Sequence, residues 1–85
     1  MFKIWAKVVR GEKIIKQFTY NGEDKLVYSQ FFNYLAEICS ELDEPTPVLL
    51  KSHIFHFAKY RTVRFLPRDF VEAVEFDKLI LDNIL

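Results

Sequence analysis

The stretch from Asp24 to Asp43, DKLVYSQFFNYLAEICSELD, constrains the chain more than any other. Val27, Phe31, Leu35, Ile38 and Leu42 recur at helical spacing, and Leu26, Tyr34 and Cys39 widen the stripe. The pattern predicts one long helix with a broad buried face. Such a face needs a partner, and the strand-like segments 2–20 and 76–85 can supply it as a small sheet. The expected fold class is therefore α+β. A three-stranded sheet, made of an N-terminal hairpin plus a C-terminal strand, is packed by one long helix and one or two short helices.

The 85 residues are expected to form a single domain spanning 1–85. A chain of this size buries only about 60% of its unfolded surface, but 51% of these residues are hydrophobic, with nine Phe, four Tyr and one Trp to close a core. Two Gly and three Pro leave little linker, and there is no internal repeat or low-complexity run. Lys3, Lys7 and Arg10 interrupt the apolar start, so no signal peptide is read, and no apolar run approaches the ~20 residues that span a bilayer. The single cysteine, Cys39, forms no internal disulfide and sits on or beside the helical stripe, which points to a reducing cytoplasm. Net charge is zero, yet it alternates in blocks: +4 over 1–22, −5 over 23–44, +5 over 45–68 and −4 over 69–85. Blocks of this kind suit a fold that neutralises itself, and they give no whole-molecule attraction to nucleic acid or membrane.

Phe2, Ile4, Ala6 and Val8 alternate with Lys3, Trp5, Lys7 and Val9, which reads as a strand. Gly11 marks a hairpin whose loop length sets the register. A two-residue Gly11-Glu12 turn puts Ile15, Gln17 and Thr19 beside the Phe2 face, whereas a three-residue loop puts Ile14, Phe18 and Tyr20 there. The second is preferred because it gathers the larger apolar side chains. Asn21-Gly22 ends the hairpin, and Glu23 and Asp24 are placed at the helix start, where the dipole favours acids.

The helix is expected to stop before Pro45 and Pro47. Its last turns carry Glu37, Glu41, Asp43 and Glu44, the wrong sign for a C-terminus, and the cations of 45–68 are expected to answer them. Val48–Leu50 reads as extended and buried, and Ser52 as the cap of a short helix, 53–60, that buries Ile54, Phe57 and Ala58. Residues 61–66 alternate, with Val63 and Phe65 on one side. Asp69 and Glu72 resemble a capping box opening one or two helical turns in which Phe70 meets Val74. The closing FDKLILDNIL is a strand, with Leu79 and Leu81 inward and Lys78, Ile80 and Asp82 outward, expected to pair with the first strand and leave it central.

Ile4-Trp5-Ala6-Lys7, Glu37-Ile38-Cys39, the Asp43-to-Leu50 stretch with Pro47, Arg64-Phe65, Asp69-Phe70, Glu72 and Phe76-Asp77 together resemble a family of short uncharacterised proteins from low-GC Gram-positive bacteria. The resemblance runs over nearly the whole chain. It implies a stand-alone cytoplasmic domain with no assigned activity, cofactor or catalytic residue, so no functional residue is carried over.

Four constellations stand out. His53 and His56 share a helical flank where a metal could bridge them, completed by Cys39 or Asp69, but paired four-ligand spacing is missing, and histidines that are surface-exposed or paired with the acidic helix end are the plainer reading. Lys51, His53, His56, Lys59, Arg61, Arg64 and Arg68 interleave with Phe55, Phe57, Tyr60 and Phe65, the composition of an anion- or nucleic-acid-binding surface, although the aromatics also suit the core. Asp69, Glu72 and Glu75 recur every third residue, which reads more plainly as a solvated edge than as a divalent-ion site. No phosphate loop or nucleophile elbow is present, so no enzyme and no cofactor are expected. Finally, Trp5 with Lys3 and Lys7 is the candidate partner-binding surface. It is either open, as a contact for another protein or a second copy, or covered by the short helix or by 61–66. The expected function is a small cytoplasmic, non-catalytic protein-interaction module; the alternative is anion or nucleic-acid binding through 51–68.

Overall fold

The structure, a computed structural model, describes residues 1–84. Leu85, the last residue of the expected C-terminal strand, lies outside them. Strands β1 (Phe2–Arg10) and β2 (Lys13–Gly22) form the hairpin, helices α1 (Phe31–Leu42) and α2 (Lys51–Tyr60) follow, and β3 (Thr62–Phe65) and β4 (Lys78–Asn83) close the chain. The sheet is antiparallel in the order β2-β1-β4-β3. The α+β class and the β1–β4 pairing agree with expectation. The sheet has four strands instead of three, because 61–66 joins it through β3 on the outer edge of β4.

Alternation decides what the sheet buries. Phe2, Ile4, Ala6, Val8, Leu79, Leu81, Val63 and Phe65 share one face and are buried, and they meet Phe31, Leu35, Ile38, Cys39 and Leu42 of α1 and Phe57 of α2. Burial pushes the Cys39 thiol up to about 11, with Glu44 adding to the rise and a hydrogen bond from Thr46 opposing it.

The hairpin resolves both register options in a way neither foresaw. Gly11 and Glu12 form a two-residue turn with φ of 58° and 65°, and Val9 faces Ile14 while Val8 faces Lys16, so Ile15 is an extra residue in a bulge. The bulge shifts the alternation by one position. Phe18 and Tyr20 thus lie opposite Ala6 and Ile4 on the core side, as the three-residue loop would have placed them, while Ile14 does not. Glu12 has a β-carbon in a left-handed conformation, at a cost of about 1 kcal/mol. Glu12→Gly is expected to raise the unfolding free energy by about that much and the melting temperature by about 4–8 °C. Urea and thermal denaturation will check it, and an unchanged midpoint would mean the turn is not strained.

The long helix is shorter than its stripe. Val27 is extended, Tyr28–Gln30 make a single 3₁₀ turn, and the α-helix starts at Phe31 with no acid in its first turn. Leu26 still packs against the core, but from outside any helix, so an apolar residue at that spacing did not require one. Glu23 and Asp24 are exposed ahead of it and do not serve its N-terminus. At the other end, Asp43 turns left-handed, and Asp43 and Glu44 N–H groups donate to the Ser40 and Cys39 carbonyls. The cation that answers this acidic end comes from β2 and not from 45–68. Lys16 Nζ donates to the Leu42 carbonyl at 3.0 Å and to Glu44 at 2.7 Å.

Val48 and Leu50 are exposed, and only Leu49 of that trio packs on the core. Helix α2 begins two residues earlier than expected, with Leu50 at its cap position and Ser52 inside its first turn. Of its residues only Phe57 is buried; Ile54 is half-buried and Ala58 exposed. The expected turns after Asp69 are absent. A 3₁₀ turn, Pro67–Asp69, ends at that residue instead, and Phe70 meets Phe76 at 5.3 Å.

Candidate functional site

Because both helices pack on the Phe2 face, the other face of the sheet carries the outward side chains of all four strands. Lys3, Trp5 and Lys7 all lie there, and neither α2 nor 61–66 crosses them: α2 is on the opposite side and 61–66 extends the sheet edgewise. The register sets Thr19, Trp5, Asp82 and Thr62 in one row and Gln17, Lys7, Ile80 and Arg64 in the next. Trp5 is half-buried by these neighbours. Its indole Nε1 donates to Gln17 Oε1 at 3.0 Å, and Lys7 Nζ sits 4.1 Å from the ring centroid while donating to Asp82 Oδ2 at 2.6 Å. The cation over the ring adds about 0.5–1 kcal/mol. The result is a surface held in one arrangement by its own polar partners, with apolar area from Trp5, Ile80 and Ile14. Ile80 and Asp82 were legible as outward-facing from alternation alone; Gln17 falls on this face in the preferred hairpin register, whereas the two-residue turn without a bulge would have put it on the other.

The second candidate is a hollow of about 430 Å³ at the outer edge of β3, between α2 and the Pro67–Asp69 turn. It brings together His53, His56, Arg64 and Arg68, with Ser52, Asp69 and the apolar Val63 and Leu66. The remaining members of the expected cationic set are elsewhere. Lys51 borders an apolar depression of about 270 Å³ with Tyr28, Ile54, Phe55 and Ala58, Lys59 lies over the Tyr60 ring, and the Arg61 guanidinium reaches the Asn83 carbonyl. Sequence reasoning placed Phe55 within the cationic set's aromatics and missed that it stands exposed in an apolar depression.

The two histidines have different roles. His56 Nδ1 donates to the Thr62 carbonyl at 2.8 Å, holding the end of α2 to β3. His53 Nδ1 accepts the Leu50 N–H at 3.0 Å, which leaves its proton on Nε2, 3.9 Å from Asp69 Oδ1. Asp69 is itself oriented by the Leu66 N–H at 2.8 Å. The His53 ring lies against Phe65. Burial holds the His53 imidazole below its ordinary 6.5, with Asp69 opposing that shift and His56 reinforcing it. Protonation would also destroy the acceptor that Leu50 uses. A lowered folded-state value means stability is fully present above pH 6.5 and declines as pH falls toward the folded value. We expect unfolding free energy to drop as pH falls below 6.5, and His53→Gln to flatten that slope. Denaturant titration across this range, with the His53 ring followed by NMR, checks both.

Among the described residues no group of three or more His, Cys, Asp and Glu side chains converges on a point where a metal ion fits. Cys39 is fully buried in the core and joins no such group with His53 and His56. Nor is any helix among them long and apolar enough to cross a membrane. No family model, curated protein or solved structure matches the chain.

Proposed function

We propose that this protein is a non-catalytic protein-interaction module whose contact surface is the open face of the sheet around Trp5. The observation that supports the reading is that no helix or strand among the described residues crosses Trp5, although the face presents an indole with lysine stems and Ile80 in a fixed arrangement. Half-buried aromatic and cationic side chains on a rigid platform provide area at low ordering cost, which is what contact hot spots use. The buried free thiol of Cys39 suits a reducing compartment such as the cytoplasm.

The test is capture of partners from cell extract by the immobilised protein and by Trp5→Glu, each with and without nuclease. A protein retained after nuclease and lost with Trp5→Glu supports the reading. A second reading rests on the hollow that gathers His53, His56, Arg64 and Arg68: an anion- or nucleic-acid binder. It predicts the opposite outcome. Capture then disappears with nuclease, survives Trp5→Glu and is lost with Arg64→Glu/Arg68→Glu.

A further inference from the structure

The sheet has a second surface that the Trp5 face does not use: the free edge of β2. The Asp77 and Ile84 N–H groups donate to the Val9 and Lys3 carbonyls, so the odd-numbered backbone groups of β1 point to β4. The even-numbered ones therefore bond to β2, at Phe2 opposite Gly22, Ile4 opposite Tyr20 and Ala6 opposite Phe18. Antiparallel alternation then leaves the N–H and C=O of Gln17, Thr19 and Asn21 pointing away from the sheet. Exposed edges are normally blunted by charge, bulge or proline. Here those devices, Lys13, Lys16 and the bulge at Ile15, sit at the turn end. Gln17–Asn21 is regular, uncharged and rich in β-forming residues.

Beside this edge lies a groove of about 270 Å³ whose floor is Phe18 and Tyr20 and whose wall is Glu37, Ser40 and Glu41 of α1. Both acids are exposed. The Glu37 carboxylate beside it, together with burial, holds the Tyr20 hydroxyl above its ordinary 10, so this ring stays neutral. Lys16, the nearest cation on β2, is already engaged by Glu44 and the Leu42 carbonyl, so the groove keeps its negative charge.

We propose that the β2 edge and this groove bind an extended basic peptide, which adds a strand to the sheet and lays alternate lysine or arginine side chains between Phe18, Tyr20 and the α1 acids. The backbone ladder supplies the affinity and the alternation supplies the selectivity. Long cationic side chains suit both halves of the groove, their stems on the rings and their heads on the carboxylates. A second copy of the chain fits less well. A twofold pairing of β2 with β2 would bring Glu37 and Glu41 of the two copies toward one another, like charge against like.

The test uses fluorescein-labelled nine-residue peptides alternating lysine with threonine, or glutamate with threonine. Anisotropy is measured against the wild-type protein, Thr19→Pro and Glu37→Lys/Glu41→Lys. The Thr19 N–H points outward, so proline there removes no bond of the sheet. The wild type is expected to bind the lysine peptide saturably and to shift the Gln17, Thr19 and Asn21 amide resonances. Thr19→Pro is expected to weaken binding at least tenfold, and Glu37→Lys/Glu41→Lys to transfer the preference to the glutamate peptide. N-methylation of one alternate set of peptide residues is expected to abolish binding to the unaltered protein while the other set is tolerated, which holds even if a variant fails to fold. Absence of saturable binding, equal affinity for both methylated sets, or charge reversal without effect would each overturn the proposal. So would a sedimenting dimer that Thr19→Pro dissolves, since the edge would then belong to a second copy.

Discussion

Phe57→Ala is expected to lower the unfolding free energy by about 3–5 kcal/mol. Phe57 is 1% exposed, and its ring meets Phe31 edge-on at 5.0 Å, so truncation removes a large buried area and leaves a void between the two helices. A domain of this length has roughly 4–13 kcal/mol in total, and the melting temperature should fall by on the order of 20 °C. The functional consequence follows from α2 having no other buried residue. Without Phe57 the helix that carries His53 and His56 is held to the sheet side mainly by half-buried Ile54, the His53–Phe65 ring contact and the bond from His56 to the Thr62 carbonyl. Amide exchange in α2 should therefore accelerate more than in β1, at denaturant concentrations where the sheet is still formed. Urea melts and hydrogen exchange measure both. A loss below about 1 kcal/mol would mean that α2 is not packed on α1 through this ring.

The second large effect is at Gly22. A β-carbon there would lie 2.0 Å, 2.1 Å and 2.5 Å from three atoms of the Phe2 ring. The ring has nowhere easy to go, since Tyr34 and Tyr20 stand at 5.1 Å and 6.0 Å from it. Gly22→Ala must push Phe2 out of its place, forfeiting burial worth about 2–3 kcal/mol. Phe2→Ala alone is expected to cost about 3–4 kcal/mol. Because both changes act through the same contact, they should not add, and Gly22→Ala in the Phe2→Ala background should cost only a few tenths of a kcal/mol. Denaturation of the four proteins of this cycle gives the coupling directly. Simple additivity would show that Gly22 is small for a reason unconnected with Phe2.

The Gly22 contact illustrates which parts of this molecule were legible in the residues. In the sequence, Asn21-Gly22 reads only as the end of the hairpin. The glycine is required because the core face of β1 presses its first ring against the last residue of β2. The same division runs through the candidate surfaces. Lys3, Trp5 and Lys7 share a face by alternation, a property of one segment, and so do Ile80 and Asp82. Gln17 beside the indole, Asp82 beside Lys7 and Lys16 at the end of α1 are relations between segments, and period carries no information about them. His53, His56, Arg64 and Arg68 stand together, and Lys51, Lys59 and Arg61 apart, because β3 turns back along α2 and the Pro67–Asp69 turn closes over its edge.

Taken alone, the order of residues determined the α+β class, the inward and outward faces of β1 and β4, the buried stripe from Phe31 to Leu42 and the position of the hairpin. These are local patterns that any compact packing must respect, since burying the wrong face of a strand or helix exposes every apolar side chain on it. The three-dimensional structure decided the bulge at Ile15, the fourth strand, the replacement of α-helix by an irregular run and a 3₁₀ turn over 24–30, and the cation that closes α1. Each of those depends on which segment lies beside which. That is chosen by the summed packing of the whole core, so no single stretch records it.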